Sequence, residues 1–544
     1  MNQASVRHHF KVSWRRKVQR LERELQATAA QLHELNRIGI ALSAERDIQK
    51  LLRLILQKSR EITSADAGSL YLVEEAEGNE HYLRFCLAQN DSLRVPFEER
   101  RMELSPLSLA GYAAMTGQPL LLDDAYHLPP DAPYHLNHAF DAMTGYHTKS
   151  VLVVPMHNPR GEVIGVIQLI NRKRHAHTLL CDAATVGREV IPFDAQCVEL
   201  MKSLASQAAV ALENSLLYRN IENLFESFVH ASVYAIESRD PCTRGHSERV
   251  ATLTVALAEA VNEAQQGSYR DIFFSREQLK EIRYAALLHD FGKIGVREEV
   301  LTKPKKRSAD RMTALLSRFD VARRTLEKEC AERKLRYVLQ YGSEGCQRIL
   351  EAMDAELSRE LRTLENFRQA VIRANEPSVM PEGDFRLLRQ IATYAYRNVN
   401  DAPCPLLDAD DVVTLSIPRG SLTPEEWQEM RDHVRHTYEF LLQIQWTKDL
   451  QRIPTIARAH HEKLDGSGYP YGLTANEIPL QAKMMTICDI YDALTAADRP
   501  YKKSLSPERA LRIIQDEEAA QGKLDAELVD IFVKREIYRR VSPL

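Results

Sequence analysis

Residues 285–296 read AALLHDFGKIGV, and residues 458–473 read RAHHEKLDGSGYPYGL. The first stretch is an apolar helix ending in an imidazole and a carboxylate side by side, His289 and Asp290, followed by Gly292 and Lys293. Neighbouring helix residues project about 100° apart, so such a pair can border one cleft while the carboxylate reaches two ions. Taken alone, the pair reads more simply as a helix end. In the second stretch two adjacent imidazoles, His460 and His461, precede a loop marked by glycine and proline. His433 lies in TPEEWQEMRDHVRHTYEFLLQ (423–443), and Asp489 sits at the centre of the apolar MMTICDIYDAL (484–494). A buried carboxylate needs a cation, a metal or strong hydrogen bonds. Imidazole and carboxylate together suit iron, manganese or zinc. Six such groups from four helices can hold two ions, and two ions about 3.5–4 Å apart clamp a phosphoryl centre and activate water. Each residue singly reads as structural; the ordered set reads as a metal centre.

The composition is that of a soluble globular chain. Its 544 residues are 44% hydrophobic and 27% charged, enough for about three domains. Collagen-like, wholly disordered and disulfide-miniprotein classes are excluded. Lys+Arg 72 against Asp+Glu 76 leaves a net charge of −4, so no overall basic field draws in a nucleic-acid polymer. A small anionic ligand must meet a local cationic pocket. The eight cysteines include no CxxC pair, which argues against a zinc ribbon and fits a reducing compartment, with the cytoplasm as the expected location. The N-terminal MNQASVRHHFKVSWRRK has no apolar core, so no signal peptide is expected. No run of about 18 apolar residues predicts a membrane span.

Periodicity divides the chain. Trp14, Val18, Leu21, Leu25, Leu32 and Leu35 recur at spacings of three, four and seven, which predicts a coiled-coil helix over 11–38. The alternative is one amphipathic helix packed on its own domain. Residues 40–215 read as helix (51–62), strands (69–73 and 82–87), a hairpin and a closing helix (193–218). The hairpin joins SVLVVPM (150–156) to VIGVIQLI (163–170) through HNPRGE. This order predicts an α+β domain with an antiparallel sheet. Leu217, Ile221, Leu224 and Phe228 continue helical spacing as a second seam. Beyond about residue 220 helices dominate. Within that half, 306–416 is charge-rich and helical, and its tail NDAPCPLLDADD (400–411) reads as a loop.

The order His-Asp, His, His-His, Asp resembles the HD superfamily of metal-dependent phosphohydrolases. HDFGKIGV, HHEKLDGSGYPYGL and EIPLQAKMMTICDIYDALTAADRPYKK (477–503), with ESRDPCTRGHSERV (237–250) upstream, are similar to the HD-GYP subfamily. The resemblance covers about 230–305 and 420–515. It implies hydrolysis of cyclic di-GMP to linear pGpG and, in some members, GMP. It places His289, Asp290, His433, His460, His461 and Asp489 at metal-ligand positions, with Asp290 bridging two divalent ions, iron or manganese. It puts Lys293 and Asp290 at the reacting phosphate. It puts Gly468 and Tyr469 in the loop lining the guanine and phosphate pocket, and Arg499 and Lys502 on the substrate phosphates. A planar arginine fork suits a phosphodiester.

Three departures stand out. Some members bind a third metal through a Glu four residues before the position of His246; here that position is Cys242, a poor ligand for an oxygen-rich iron site, which favours two metals. Lys483 replaces an arginine before the apolar run leading to Asp489. Between LTKPK (301–305) and LTPEEW (422–427), which the family joins almost directly, about 110 residues intervene, an insertion of small loop-entropy cost. It reads as a lid, a docking surface or a tolerated elaboration.

Residues 35–216 resemble a GAF domain, through ADAGSLYLV (65–73), LAGYAAMTGQPLLLDDAY (109–126), TGYHTKSVLVVPM (144–156), GEVIGVIQLINRK (161–173) and IPFDAQCVELMKSLASQAAVALENSLLY (191–218). A cyclic-nucleotide-binding subset carries a spaced Asn-Lys-Phe-Asp-Glu signature. Asn171, Lys173 and Phe193 fit its first places, but Cys197 and Val198 stand where the acids belong, so the GAF ligand stays open.

The expected architecture is an N-terminal coiled-coil helix (1–38), an α+β GAF sensor (39–216), a linker helix (217–236), and an all-α HD-GYP domain in two parts (237–305 and 421–544) around a helical insertion (306–420). The expected activity is metal-dependent hydrolysis of cyclic di-GMP under GAF control. Two alternatives remain: a cyclic dinucleotide-binding adaptor without turnover, which has no need of six ligands, and a phosphodiesterase for another cyclic dinucleotide such as cyclic GMP-AMP. A parallel homodimer through the two seams is expected.

Overall fold

The structure, a computed structural model, describes residues 29–75, 81–93, 98–240, 244–377, 379, 381–398, 402–496 and 504–541, with positions 18, 22, 25 and 26. It divides into two units, Met1–Phe225 and Glu226–Leu544. No helix of the described residues is long and apolar enough to cross a membrane.

The first unit opens with α1 (29–44) and α2 (Ile48–Thr63), the latter capped by the Asp47 side chain. Then follow β1 (Ala65–Glu75), β2 (His81–Asn90), β3 (Arg100–Glu103), α3 (Leu109–Thr116), β4 (Leu120–Leu122), α4 (Ala139–Thr144), β5 (Val151–His157), β6 (Val163–Lys173), α5 (Ala183–Glu189) and β7 (Val190–Ile191). The strands run in the order β3-β2-β1-β6-β5-β4, with β7 also on β6, and every pairing is antiparallel. The β5–β6 hairpin turns where Gly161 takes φ 81° and its N–H donates to Asn158 O at 2.9 Å. Helices cover both faces of the sheet. Leu152, Val154, Met156, Ile167 and Leu169 face α1 and α2, whereas Val151, Val153 and Val166 face α3. Burial on both faces is why these strands read as apolar runs rather than alternating ones.

α6 (Ala195–Arg239, 45 residues) begins in the first unit and ends in the second. Leu217, Ile221, Leu224 and Phe228 are exposed along it. The N-terminal seam ends differently from its sequence reading. Leu35 is buried with Ile38 and Leu42 in the core beneath the sheet, and the helix continues to residue 44, so this end of the stripe serves the unit's own core. Val18, Leu25 and Leu32 are exposed, while Trp14 and Leu21 lie outside the described residues.

The three signature-like residues are engaged internally. Lys173 is buried with Nζ 3.0 Å from Asp66 and 3.1 Å from Asp91. Tyr146 donates its hydroxyl to Asp66 at 2.8 Å. Asn171 sits at φ 58°, accepting from Lys149 N and donating to His147 O, and Phe193 belongs to the core.

The second unit is mainly helical: α7 (His246–Asn262), α8 (Arg276–Leu288), α9 (Glu298–Leu301), then α10 (Ala309–Tyr341), α11 (Gln347–Ala374), α12 (Glu382–Thr393), β8 (Ala395–Arg397), β9 (Pro403–Pro405) and α13 (Ala409–Leu415). Residues from α10 to α13 share a core of their own, including Leu315, Phe319, Phe367, Val371, Ile391 and Leu415. The chain leaves and re-enters at one place. Ser421 Oγ donates to Lys303 O, and Lys303 Nζ pairs with Glu426 at 2.7 Å. The tail expected to be a loop is partly ordered structure. Pro403–Pro405 pairs with Ala395–Arg397 in a two-stranded ladder, where proline is tolerated at an edge, and Asp408 caps α13 with a reciprocal bond from Asp411. The unit continues with α14 (Pro424–Arg431), α15 (His433–Leu441), α16 (Ile453–Ala457) and α17 (Leu480–Thr495), and closes with further short helices to Arg540.

Lys173→Ala leaves the Asp66 carboxylate buried without its ammonium. It is expected to cost about 3–5 kcal/mol, read as a lower urea midpoint for the first unit. An unchanged midpoint would show the pair to be dispensable.

Candidate active site and metal centre

The candidate metal-ligating side chains stand at helix ends or mid-helix and converge on one buried cluster. A reciprocal cap between Ser275 and Gln278 starts α8, whose last turn is apolar to Leu288 and is followed by His289. Asp290 leads into a tight 3-10 turn, Phe291–Gly295. That turn lies against α15 because Gly292 has no side chain. A Cβ there would stand 1.9 Å from His433 O and 2.4 Å from Thr437 N. Thr437 ties the contact, accepting from Gly292 N at 2.8 Å and donating to His289 O at 3.0 Å. α14 carries a reciprocal cap from Thr423 and Glu426 with Pro424 in its first turn, and α15 begins at His433. His460 and His461 follow α16, where Thr486 donates to His460 O at 2.8 Å. Asp489 and Asp492 project from the middle of α17.

Three histidines are fixed in one tautomer. The Nδ1 atoms of His289, His433 and His460 lie 2.6 Å from the carbonyls of Ala286, Met430 and Ala457. A carbonyl only accepts, so each Nδ1 carries a proton, and in the neutral ring it is Nε2 that offers a lone pair. All three Nε2 atoms are buried without a hydrogen-bond partner. His433 Nε2 faces Asp290 Oδ1 at 3.3 Å, and His289 Nε2 faces Asp290 Oδ2 at 3.6 Å. Lone pairs facing carboxylate oxygens in a buried cavity call for a cation, since each orphaned polar atom costs about 1–3 kcal/mol. Two triads can supply ligand atoms within 4.8 Å of one another: His433, His460 and His461, and His246, His289 and Asp290. This donor set of imidazole and carboxylate fits divalent transition ions.

The electrostatics agree. Burial pushes His289 below its ordinary value, and burial with the neighbouring imidazoles pushes His460 well below it. Burial also lowers His461, the most exposed member of the triad. For Asp290, burial acts upward, but the Lys293 ammonium 2.8 Å away and the nearby imidazoles hold the carboxyl well below its ordinary range. Asp489 is likewise held down against burial by His246 and His461.

His246 belongs to the same group of side chains. It is buried in the cavity, Nδ1 2.7 Å from Asp492 and Nε2 3.3 Å from Asp489. Burial acts downward, but these two carboxylates raise it to about 9. Asp492 also takes the Arg249 guanidinium at 2.6 and 3.0 Å. The sequence reading missed Asp492 and Arg249. The available signal was their spacing, three residues after Asp489 and after His246, which places each pair on one helix face.

Of the residues expected to meet a substrate, Gly468 and Tyr469 lie beside the cluster. The buried Glu462 accepts from Tyr471 N at 2.8 Å and Leu473 N at 2.9 Å, which holds their loop. A Cβ on Gly468 would stand 2.3 Å from Lys463 N. The Tyr469 ring lies 4.7 Å from the His461 ring, and the Arg431 guanidinium covers its face at 4.6 Å. Arg431 has no hydrogen-bond partner among the described residues, and the sequence reading did not single it out. Arg499, Lys502 and Cys242 lie outside the described residues.

Comparison with known proteins agrees with this centre. Residues 47–212 match the GAF domain family, and residues 243–383 and 410–528 match HD domain families. The chain is 40% identical over 97 residues to a 3'3'-cGAMP-specific phosphodiesterase of Vibrio cholerae, covering 18% of this chain and 20% of that protein. It is 36% identical over 115 residues to a cyclic di-GMP phosphodiesterase of Pseudomonas aeruginosa (21% and 26%). It is 31% identical over 198 residues to a cyclic di-GMP phosphodiesterase response regulator of Xanthomonas campestris (35% and 51%). The chain thus spans from a fifth to about half of the length of these relatives. The protein joins a GAF domain to an HD domain, and its motifs make the latter one of the HD-GYP kind.

In metal-free protein, His289 and His460 resist protonation that the unfolded chain accepts near its ordinary value of about 6.5. Their contribution is intact above that pH and is lost as the pH falls toward the folded values. His246, raised to about 9, acts oppositely but only above about pH 6.5, where the unfolded imidazole loses its proton first. The thermal midpoint of metal-free protein is therefore expected to drop as the pH falls below about 6.5. A flat profile would contradict the neutral assignment.

Proposed function

We propose that the chain hydrolyses cyclic di-GMP to pGpG, and onward to GMP, at a centre of two divalent ions held by His289, Asp290, His433, His460, His461 and Asp489. Iron or manganese suits that donor set. The observation that carries the reading is the set of three buried Nε2 atoms, of His289, His433 and His460, without hydrogen-bond partners, two of them facing the ionised Asp290 carboxylate. Such ions polarise a phosphoryl oxygen and make a nucleophile of water near neutral pH. Water adds to phosphorus and the bond to the 3′ oxygen breaks, leaving a 5′-phosphate and a 3′-hydroxyl. Lys293 brings a fixed positive charge to the edge of the cluster, where the phosphate gains charge in the transition state. Tyr469 offers a ring face to a base, and Arg431, with its donors unspent, offers a fork to a phosphate or a guanine. Arg499 and Lys502 complete the cationic lining that the HD-GYP resemblance implies.

In this reading, 39–216 is the sensor, 237–305 and 421–544 form the catalytic domain, and 306–420 is an insertion that covers or docks near the site. The exposed stripe Leu217, Ile221, Leu224 and Phe228 supports a parallel homodimer seam along α6. The GAF domain acts through that helix. A 3'3'-cGAMP substrate is the second reading, favoured by the 40% identity to an enzyme of that name.

The test is anaerobic incubation of the full chain, loaded with Mn²⁺ or Fe²⁺, with cyclic di-GMP and with 3'3'-cGAMP, followed by chromatography. The wild-type protein is expected to yield pGpG, and Asp290→Ala to lose metal and product together. Lys293→Ala should lower kcat about 10²–10³-fold with metal retained. Arg431→Ala should raise KM about tenfold with little change in kcat. Full metal loading without hydrolysis of either dinucleotide would replace the enzyme with a binding adaptor.

A further inference from the structure

Helix α6 ends on the turn that carries Lys293. The Arg239 guanidinium donates to Ile294 O and, at 2.9 Å, to Val296 O, the two carbonyls on either side of Gly295. Asp240 follows, its N–H closing the last turn of α6 onto Ile236 O at 3.0 Å. The Asp240 carboxylate is buried and lies 3.3 Å from Lys293 Nζ, the same ammonium that stands 2.8 Å from Asp290. One helix end therefore holds both the backbone of the turn and the tip of its lysine. An ammonium has three donors; Asp290 and Asp240 take two, leaving one for a third group in the cavity. With Asp240 gone, the long flexible lysine stem would fold onto Asp290 alone, and Lys293 would compete with a metal ion for that carboxylate.

We propose that Arg239 and Asp240 are positioning residues for Lys293: they set where its ammonium stands, so that movement of the end of α6 reaches the reacting phosphate through this lysine. The inference rests on Lys293 serving phosphodiester hydrolysis, as proposed above. It goes beyond that reading in making the final turn of the sensor's own helix a part of the lysine's support. No element between the helix and the lysine is needed to relay a shift.

The experiment uses the full chain loaded with Mn²⁺ and the variants Asp240→Asn, Asp240→Glu and Arg239→Gln. Metal content and thermal midpoint establish that each variant is folded and loaded. Two readouts follow: kcat and KM for cyclic di-GMP, and amide hydrogen exchange over residues 291–297, which needs no substrate. Asp240→Asn is expected to lower kcat about 10- to 100-fold with KM nearly unchanged. Asp240→Glu, which keeps the charge, should recover part of that loss. Arg239→Gln should speed exchange over 291–297 severalfold and lower kcat. Wild-type kcat and wild-type exchange in both Asp240→Asn and Arg239→Gln would overturn the proposal while leaving the phosphodiesterase standing. If the wild-type protein hydrolyses no cyclic dinucleotide yet the variants still loosen 291–297, the catalytic reading fails and the clamp on the turn survives. A kcat loss that Asp240→Glu does not relieve at all, with exchange unchanged, would assign Asp240 a role other than positioning.

Discussion

The second unit is organised around three imidazole protons. His289, His433 and His460 each give the Nδ1 proton to a carbonyl three residues earlier, where a helix is ending and that carbonyl has no helical donor. The bond satisfies the helix end and fixes the ring, and it leaves the other nitrogen bare toward the cavity. Burial then keeps the His289 and His460 rings neutral, because charging them would cost more than water would repay. The unpaired nitrogens and the ionised Asp290 and Asp489 form a negative, underprotonated chamber. A fold does not keep such a chamber for stability, since apolar side chains would fill it at lower cost. The orphaned nitrogens are what make the site a cation site.

Holding that chamber together imposes close backbone contacts. The His-Asp turn reaches α15 only because Gly292 is bare, and Thr437 then binds both the turn's N–H and the carbonyl of His289. Gly468 allows the next loop to press on Glu462 and Lys463, which brings Tyr469 over His461. The 306–420 stretch separates the two halves of this assembly in sequence. It has its own core, and its two ends meet at Lys303, Ser421 and Glu426. The helices that carry the His and Asp cluster therefore pack as if the connection were short.

The GAF unit spends its polar residues differently. Lys173, Asp66 and Tyr146 form a buried group between strands, and Asn171 uses its left-handed backbone and its amide to hold residues 147–149. Residues that resemble a nucleotide-binding signature are consumed by the interior of the fold. The extended helix that begins on this unit ends on Arg239 and Asp240, against the turn of Lys293.

Much of this was legible in one dimension. The hairpin, the long helices and the ladder of His and Asp residues rest on local chemistry and on periods of two and 3.6, which a sequence displays directly. His289, Asp290, His433, His460, His461 and Asp489 were readable as a candidate set because few side-chain types suit a divalent ion. Other features were not readable. The burial of His246 against Asp489 and Asp492, the stacking of Arg431 on Tyr469, the pairing of Asp240 with Lys293 and the loss of Leu35 from its seam all join residues far apart in the chain. The strand at Pro403–Pro405 was hidden by its prolines, which signal a loop unless an edge partner is known. Residue type and order were enough to name the groups available to a cation and an anion. Which nitrogen of each imidazole faces inward, and which carboxylate meets which ammonium, is settled by carbonyls and side chains that only packing brings within about 3 Å.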